Sequence, residues 1–376
     1  MLRANSKKDG CIIRAFSFHY YKKVFMYKKI STLALFTIAA VLMFPAAGTA
    51  RQHVKITDAH TCQNNIPPRY QWDGNSGYCG EVALISAGLY YGQYVSQYDS
   101  RTIATKFARQ NKGQLLLGKN DAYAAAQMHL DAVEWDSGDE QNADKFLVWV
   151  KEHVLNGYPV AMGIYTNEFR FYGDTDPDAG DDEYDHIVPV TGVGSNHPLS
   201  DLSYYSDDII YFSDNGLWGS DTNPPYNFCY GFDSFQASRS QANAKTGAIY
   251  SLCNDGTNYG IAITGVMDLN GDTVPVRLDT NVKNEQPAIK DGSNTRPDPM
   301  SLTLTVTVSN LQPGIVYNLY RYNNFDAVPD RDFNANAGSA SQSCVVQIAS
   351  GKTFVMTQQI SSDEIAVYRA VKASAP

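Results

Sequence analysis

Basic residues are scarce in this chain. Lys and Arg number 30 against 39 Asp and Glu, a formal charge of −9. Residues 1–50 hold eight of the basic residues and one Asp, which leaves 22 basic against 38 acidic residues and a charge of −16 for the remainder. Phosphate binding relies on clustered Lys and Arg, so the composition argues against nucleic acid as a partner. Apolar runs long enough for a membrane are as rare: after Ile30 to Ala47 no second one occurs, and no stable membrane insertion is expected once a signal is cleaved. Helical spacing is missing from about Gly256 onward, which excludes an all-helical chain.

The apolar run follows Lys28-Lys29 and leads into Ala46-Ala47-Gly48-Thr49-Ala50, the small residues that suit signal-peptidase cleavage. The expectation is a secretory signal with a start at Met26, cleavage near Ala50 and an extracellular mature protein; an uncleaved anchor is the alternative. About 326 residues then remain, enough for two domains. Five cysteines survive processing: Cys62, Cys79, Cys229, Cys253 and Cys344. The odd count leaves one thiol unpaired. Cys79 is the natural one to stay free, and Cys229 with Cys253 is the preferred disulfide pair.

Cys79 ends the Gly- and Asn-rich stretch Gln71-Trp72-Asp73-Gly74-Asn75-Ser76-Gly77-Tyr78 and precedes Val82-Ala83-Leu84-Ile85-Ser86-Ala87-Gly88-Leu89, which has the apolar density of a buried helix. A sulfur at a helix N-terminus faces unpaired N–H groups and the positive end of the macrodipole, which favour a thiolate. Such a nucleophile needs an imidazole beside it and a carboxylate or amide to fix the imidazole tautomer.

Both occur downstream. Helical spacing covers Arg101 to Gln110, Asp121 to Leu130 and Asn142 to Leu155, after which β-runs take over: Tyr158 to Tyr165, His186 to Val193 and Asp208 to Ser213, with short runs near Phe228 to Phe232 and Ala248 to Leu252. This is an α+β plan, helices on one side and an antiparallel sheet on the other. His186 opens one strand and Asp214-Asn215-Gly216 closes the next. If the two are neighbours, the imidazole and the Asp214 or Asn215 side chain meet at one sheet edge.

The ordered set Gly77-Tyr78-Cys79-Gly80-Glu81, Gly157-Tyr158-Pro159-Val160, Asp185-His186-Ile187-Val188-Pro189-Val190-Thr191-Gly192-Val193 and Tyr211-Phe212-Ser213-Asp214-Asn215-Gly216 resembles the papain-fold cysteine peptidases, in the branch of the bacteriocin-processing peptidases. The likeness covers roughly residues 65–255. It implies a papain-like domain over 51–255, with Cys79 as nucleophile, His186 as general base and then acid, and Asp214 orienting the imidazole, or Asn215 in its place. The oxyanion donor it implies is Gln71, although Gln71 lies eight positions ahead of the cysteine where the family usually has about six, or else Asn75; the Cys79 N–H would be the second donor. The reaction implied is cleavage of peptide bonds in a peptide or protein through an acyl-enzyme, with no metal or organic cofactor. Two alternatives stay open: deamidation or transpeptidation on the same triad, and a catalytically inactive secreted protein that binds or adheres.

Two acidic stretches suggest calcium. Asp174, Asp176 and Asp178 alternate just ahead of His186, and oxygen ligands at that spacing can hold Ca²⁺, although Pro177 and a displaced Gly180 depart from an EF-hand. Asp268-Leu269-Asn270-Gly271-Asp272 reads better as a hairpin turn. From residue 256 to 376 the runs Ile261 to Met267, Val274 to Leu278, Ser301 to Val308, Val316 to Tyr322, Cys344 to Ile348, Thr353 to Thr357 and Ile365 to Val371 predict a separate all-β sandwich. Leu311-Gln312-Pro313-Gly314 followed by Tyr317-Asn318-Leu319-Tyr320 resembles fibronectin type III-like domains. Asn281 to Pro299 reads as a long loop inside that domain. The many tyrosines suggest surface contact with a glycan or protein.

Overall fold

The structure is a computed structural model, and it describes residues 60–374 apart from 73, 104–109, 111–117, 119, 136–141, 216–225, 255 and 284–294. The signal stretch, with Met26 and Ala50, lies outside the described residues, as do Gly216 and most of the loop expected from Asn281 onward.

The helix Cys79–Tyr90 is the axis of the molecule. Eleven of its twelve residues are buried, so it carries no polar face of the kind a surface helix needs. It packs on the strands His186–Gly194 and Val160–Thr166 of a large sheet and on Val276–Thr280 of a small one. The large sheet runs Leu130–Glu134, Gly260–Val266, Val160–Thr166, His186–Gly194, Ile209–Asp214, Tyr226–Gly231. All these neighbours are antiparallel, which bears out the mixed α+β plan.

Three elements differ from the sequence reading. Leu130–Glu134 is a strand, whereas spacing runs the helix through to Leu130; the helix stops at Gln127, and His129 turns the chain at φ 53. Gly260–Val266 pairs with both Leu130–Glu134 and Val160–Thr166, so a strand read as belonging to the C-terminal domain sits in the large sheet, beyond the boundary at residue 255. Cys229 and Cys253 are not joined, and no disulfide links any of Cys62, Cys79, Cys229, Cys253 and Cys344. Cys229 is exposed on the strand Tyr226–Gly231, while buried Cys253 accepts the Tyr165 hydroxyl at 2.9 Å from a strand paired with Val160–Thr166. One sulfur thus faces solvent and the other the interior.

The remaining strands form two sheets. Val276–Thr280, Ser301–Val308 and Phe354–Ser361 make one; Thr273–Val274, Ala366–Lys372, Val316–Tyr322 and Gln342–Gln347 make the other. Ser301–Val308 buries Leu302, Leu304, Val306 and Val308, every second residue, as a strand with one wet face must. This region is not separate from the rest. Gln93–Tyr94, just after the central helix, adds to Ala366–Lys372 as an extra strand, and one apolar core joins Ala83, Leu84 and Leu89 to Leu278, Leu304 and Val367. Gly92 makes the closeness possible: at φ +77 it brings its backbone under Val276, where a Cβ would lie 2.9 Å from the valine Cβ. Of the two roles open to the tyrosines here, surface contact or core packing, Tyr317, Tyr320, Tyr322 and Tyr368 take the second: all four are buried.

Candidate active site

The backbone ahead of Cys79 is held in an uncommon shape. Gly74, Asn75, Ser76 and Gly77 all have positive φ, and Gly77 N–H closes the turn on Gly74 O at 2.9 Å. Gly and Asn tolerate that region; Ser76 at φ 66 does so at a cost, which the surroundings must hold. Arg101 is what holds it. Its guanidinium is fully buried, pairs with Glu81 Oε1 at 2.7 Å, donates to Asn75 O at 2.9 Å and to Gly77 O, and lies 3.6 Å over the Tyr78 ring. The turn therefore delivers Cys79 as the first residue of the helix, where its N–H has no acceptor within the helix.

His186 and Asp214 are the first residue of one strand and the last of its antiparallel neighbour, which sets them at one sheet end. His186 Nε2 lies 2.9 Å from Asp214 Oδ1, which leaves Nδ1 as the nitrogen without that carboxylate, and the Cys79 side chain is near enough to favour the charged imidazole. Burial disfavours the imidazolium, but the charge and hydrogen bond of Asp214, together with Cys79, outweigh it and hold the His186 pKa at about 10. The second Asp214 oxygen, Oδ2, accepts the hydroxyl of Tyr250. Tyr250 is fixed edge-on against Phe212 and Phe228, with ring centroids 5.8 and 4.9 Å away. Nothing in the sequence separates this tyrosine from its 24 fellows; its place in a short β-run is its one signal.

Asn215 does not take the place of Asp214. Its Nδ2 donates to Cys79 O at 3.0 Å and to Ile187 O at 3.5 Å, tying the Cys79 helix to the His186 strand. Its carbonyl accepts the Gln71 N–H at 2.9 Å, so the structure brings Gln71 to the Asp214–Asn215 end of the site. Gln97 clamps the residues on both sides of Gln71, through Trp72 N–H at 2.8 Å and Tyr70 O at 2.9 Å. The Gln71 side chain is buried, and its Oε1 has no hydrogen-bond partner. Asn75 is engaged elsewhere: its Nδ2 lies 3.4 Å from the Tyr78 hydroxyl, which itself donates to Gln110 at 2.7 Å. The longer spacing from Gln71 to Cys79 is taken up by the left-handed turn.

Asp185, the residue before His186, has a buried arginine of its own. Arg239 Nη1 pairs with Asp185 Oδ2 at 2.6 Å, while Nη2 donates to Thr166 O at 2.6 Å and Asn243 Oδ1 at 2.7 Å. Asn243 Nδ2 then holds the acidic loop through Pro177 O and Ala179 O at 3.1 and 2.8 Å. The geometry of that loop gives the calcium reading no support and fits the solvated loop that is its alternative. Asp174 and Asp176 each spend an oxygen on the N–H two residues on, and among the described residues no three His, Cys, Asp or Glu side chains converge as metal ligands. Asp268 likewise caps its own turn, accepting from Asn270, Gly271 and Thr273.

Compared with known proteins, the chain matches no family model, no curated protein and no solved structure. Functional reasoning therefore rests on this geometry.

Proposed function

We propose that the protein is an exported cysteine peptidase of papain-like architecture. The observation that carries the reading is the buried set His186, Asp214 and Tyr250, with Asp214 Oδ1 2.9 Å from His186 Nε2 and Tyr250 donating to Oδ2, beside a buried Cys79 that favours the charged imidazole. An imidazole whose pKa is about 10 is protonated at neutral pH, and an imidazolium beside sulfur favours the thiolate. The thiolate attacks the carbonyl carbon of a peptide bond, and the Cys79 N–H and Gln71 face the resulting oxyanion. His186 gives its proton to the leaving amine as the C–N bond breaks. It then takes a proton from water, which attacks the thioester and frees the acid. An incoming amine in place of water would make the same site a transpeptidase.

One observation favours a second reading, a binding protein that uses the fold without its chemistry. Cys79 is 1% exposed and His186 6%, so the nucleophile is shut away in this conformation. Iodoacetamide alkylation across pH 4 to 9 separates the two. A peptidase gives Cys79 labelling well below pH 8, lost in Cys79→Ala and moved toward ordinary thiol behaviour in His186→Ala. A Cys79 that stays unlabelled in the native protein until it unfolds sinks the peptidase reading and leaves the binding protein. Among the described residues no helix is long and apolar enough to cross a membrane.

A further inference from the structure

The far end of the central helix borders a cavity that the triad does not use. It has a volume of about 80 Å³ and lies where three parts of the chain meet: Tyr90 and Tyr91 at the helix end, Val266, Val274 and Val276 on and around the connection that leads from the large sheet to the two smaller ones, and Arg369 on the last strand. A cavity of that size has room for several water molecules or one small organic ion. Rings and valines make up much of its wall, and of the three charged groups there, Asp268, Arg277 and Arg369, two are committed to neighbours in the chain and one is the exception.

The exception is Arg369, which is 1% exposed. Its Nη1 donates to Tyr368 O at 2.9 Å and to Tyr91 O at 3.4 Å. Nε and Nη2 are buried without any hydrogen-bond partner. Among the described residues no carboxylate stands within ion-pair distance of it. The carboxylate that shares the cavity, Asp268, has both oxygens committed to the N–H groups and hydroxyl of its own turn. The other arginine on the wall, Arg277, is already neutralised by Asp279 at 3.1 Å and donates to Asn65 O. Burial draws the Arg369 pKa down to about 10, with Tyr322 and Asp268 opposing the fall, so the group keeps its charge at neutral pH. A buried, unpaired charge is costly unless something pairs with it.

Which two nitrogens are idle identifies what would pair. Nε and Nη2 lie on one edge of the guanidinium, and their N–H bonds are parallel, the geometry that receives both oxygens of a carboxylate. One guanidinium among valines and tyrosine rings compensates a single negative charge and an apolar body; a phosphate dianion would be left half unpaired. We infer that this cavity is a binding site for a small monocarboxylate with a short apolar tail, anchored on the Nε/Nη2 edge of Arg369. The site stands about 16 Å along the helix from Cys79, at 1.5 Å per residue, and its occupancy does not depend on the chemistry proposed there.

The test uses the full chain and thermal unfolding with sodium butyrate as probe, against butyramide and inorganic phosphate. Butyrate is expected to raise Tm saturably by a few degrees, while butyramide, the same shape without the charge, does not. Val274→Trp fills the cavity from its half-exposed rim and leaves Arg369 in place, so it should abolish the butyrate response even if Arg369→Gln does not fold. Calorimetric titration of butyrate should show one site per chain in the wild type and none in Val274→Trp. No saturable response to butyrate, an equal response to butyramide, a larger one to phosphate, or an undiminished butyrate response in Val274→Trp would each overturn the proposal.

Discussion

The two halves of the candidate site are braced in the same way by unrelated parts of the chain. Cys79 stands two residues before Glu81, which pairs with Arg101; His186 stands one residue after Asp185, which pairs with Arg239. Each arginine also fixes loop carbonyls and lies over a tyrosine, Tyr78 at 3.6 Å and Tyr165 at 4.2 Å. The difference is in the surroundings. The Arg101–Glu81 pair is 0% and 1% exposed and holds a backbone with four successive positive φ values. Asp185 retains two backbone donors besides its arginine, Thr166 N–H and Asp181 N–H, both at 2.7 Å. The ion pair on the Cys79 side is thus centred on one arginine, while Asp185 on the His186 side shares its charge between an arginine and backbone amides.

That contrast can be broken at several points. The largest effect is expected from Arg101→Met, which removes the arginine that pairs with buried Glu81 and holds the Asn75 and Gly77 carbonyls: about 3–5 kcal/mol of stability lost, read as a fall in the urea midpoint. Arg239→Met should cost less, about 2 kcal/mol, because the charged Asp185 keeps its amide partners. Equal losses would show that the network adds nothing. Next in size is a pH effect. The His186 pKa in the folded state, about 10, lies above its unfolded value of about 6.5. The pair with Asp214 thus contributes stability in full below about pH 6.5, and that contribution is lost as pH rises toward 10. Urea midpoints between pH 6 and 10 should fall in the wild type and stay nearly level in Asp214→Asn. The smallest effect belongs to a buried carboxyl away from both braces. Burial, opposed by the Gly118 N–H and Tyr259, raises Asp121 from 3.8 to about 7, so folding favours its neutral form and stability declines as pH rises from about 4 to 7. Asp121→Asn should flatten that decline, and unchanged midpoints across this window would refute the assignment.

Local pattern and chain order were enough to foresee much of this. Period-2 alternation marks Ser301–Val308 to the residue, and helical spacing marks Ala143–Leu155, which begins one residue after the expected start. The meeting of His186 and Asp214 follows from antiparallel pairing of consecutive strands. What escaped the sequence is long-range or stereochemical. His129 breaks a helix at positive φ without the glycine or proline that would announce it. Arg101 and Arg239 find their carboxylates 20 and 54 positions away, and no periodicity records such a pairing. Tyr250 meets Asp214 from a strand whose partner, Val160–Thr166, lies far earlier in the chain. The unjoined Cys229 and Cys253 show the reverse error, a shared place near the ends of short strands taken for nearness in space.

The two-residue strand Gln93–Tyr94 has a bearing on when the protein becomes what it is. Its partner is Ala366–Lys372, and Tyr94 further donates to Ser362 O across 268 positions of sequence. Contacts of such separation form late, because the intervening chain must first be made and gathered. The segment that follows the Cys79 helix is thus left without its strand partner until residues 366–372 have emerged. Synthesis itself acts as a timer: a nascent chain that stops short of them already holds Cys79, His186 and Asp214 but lacks the strand on which Gln93–Tyr94 closes.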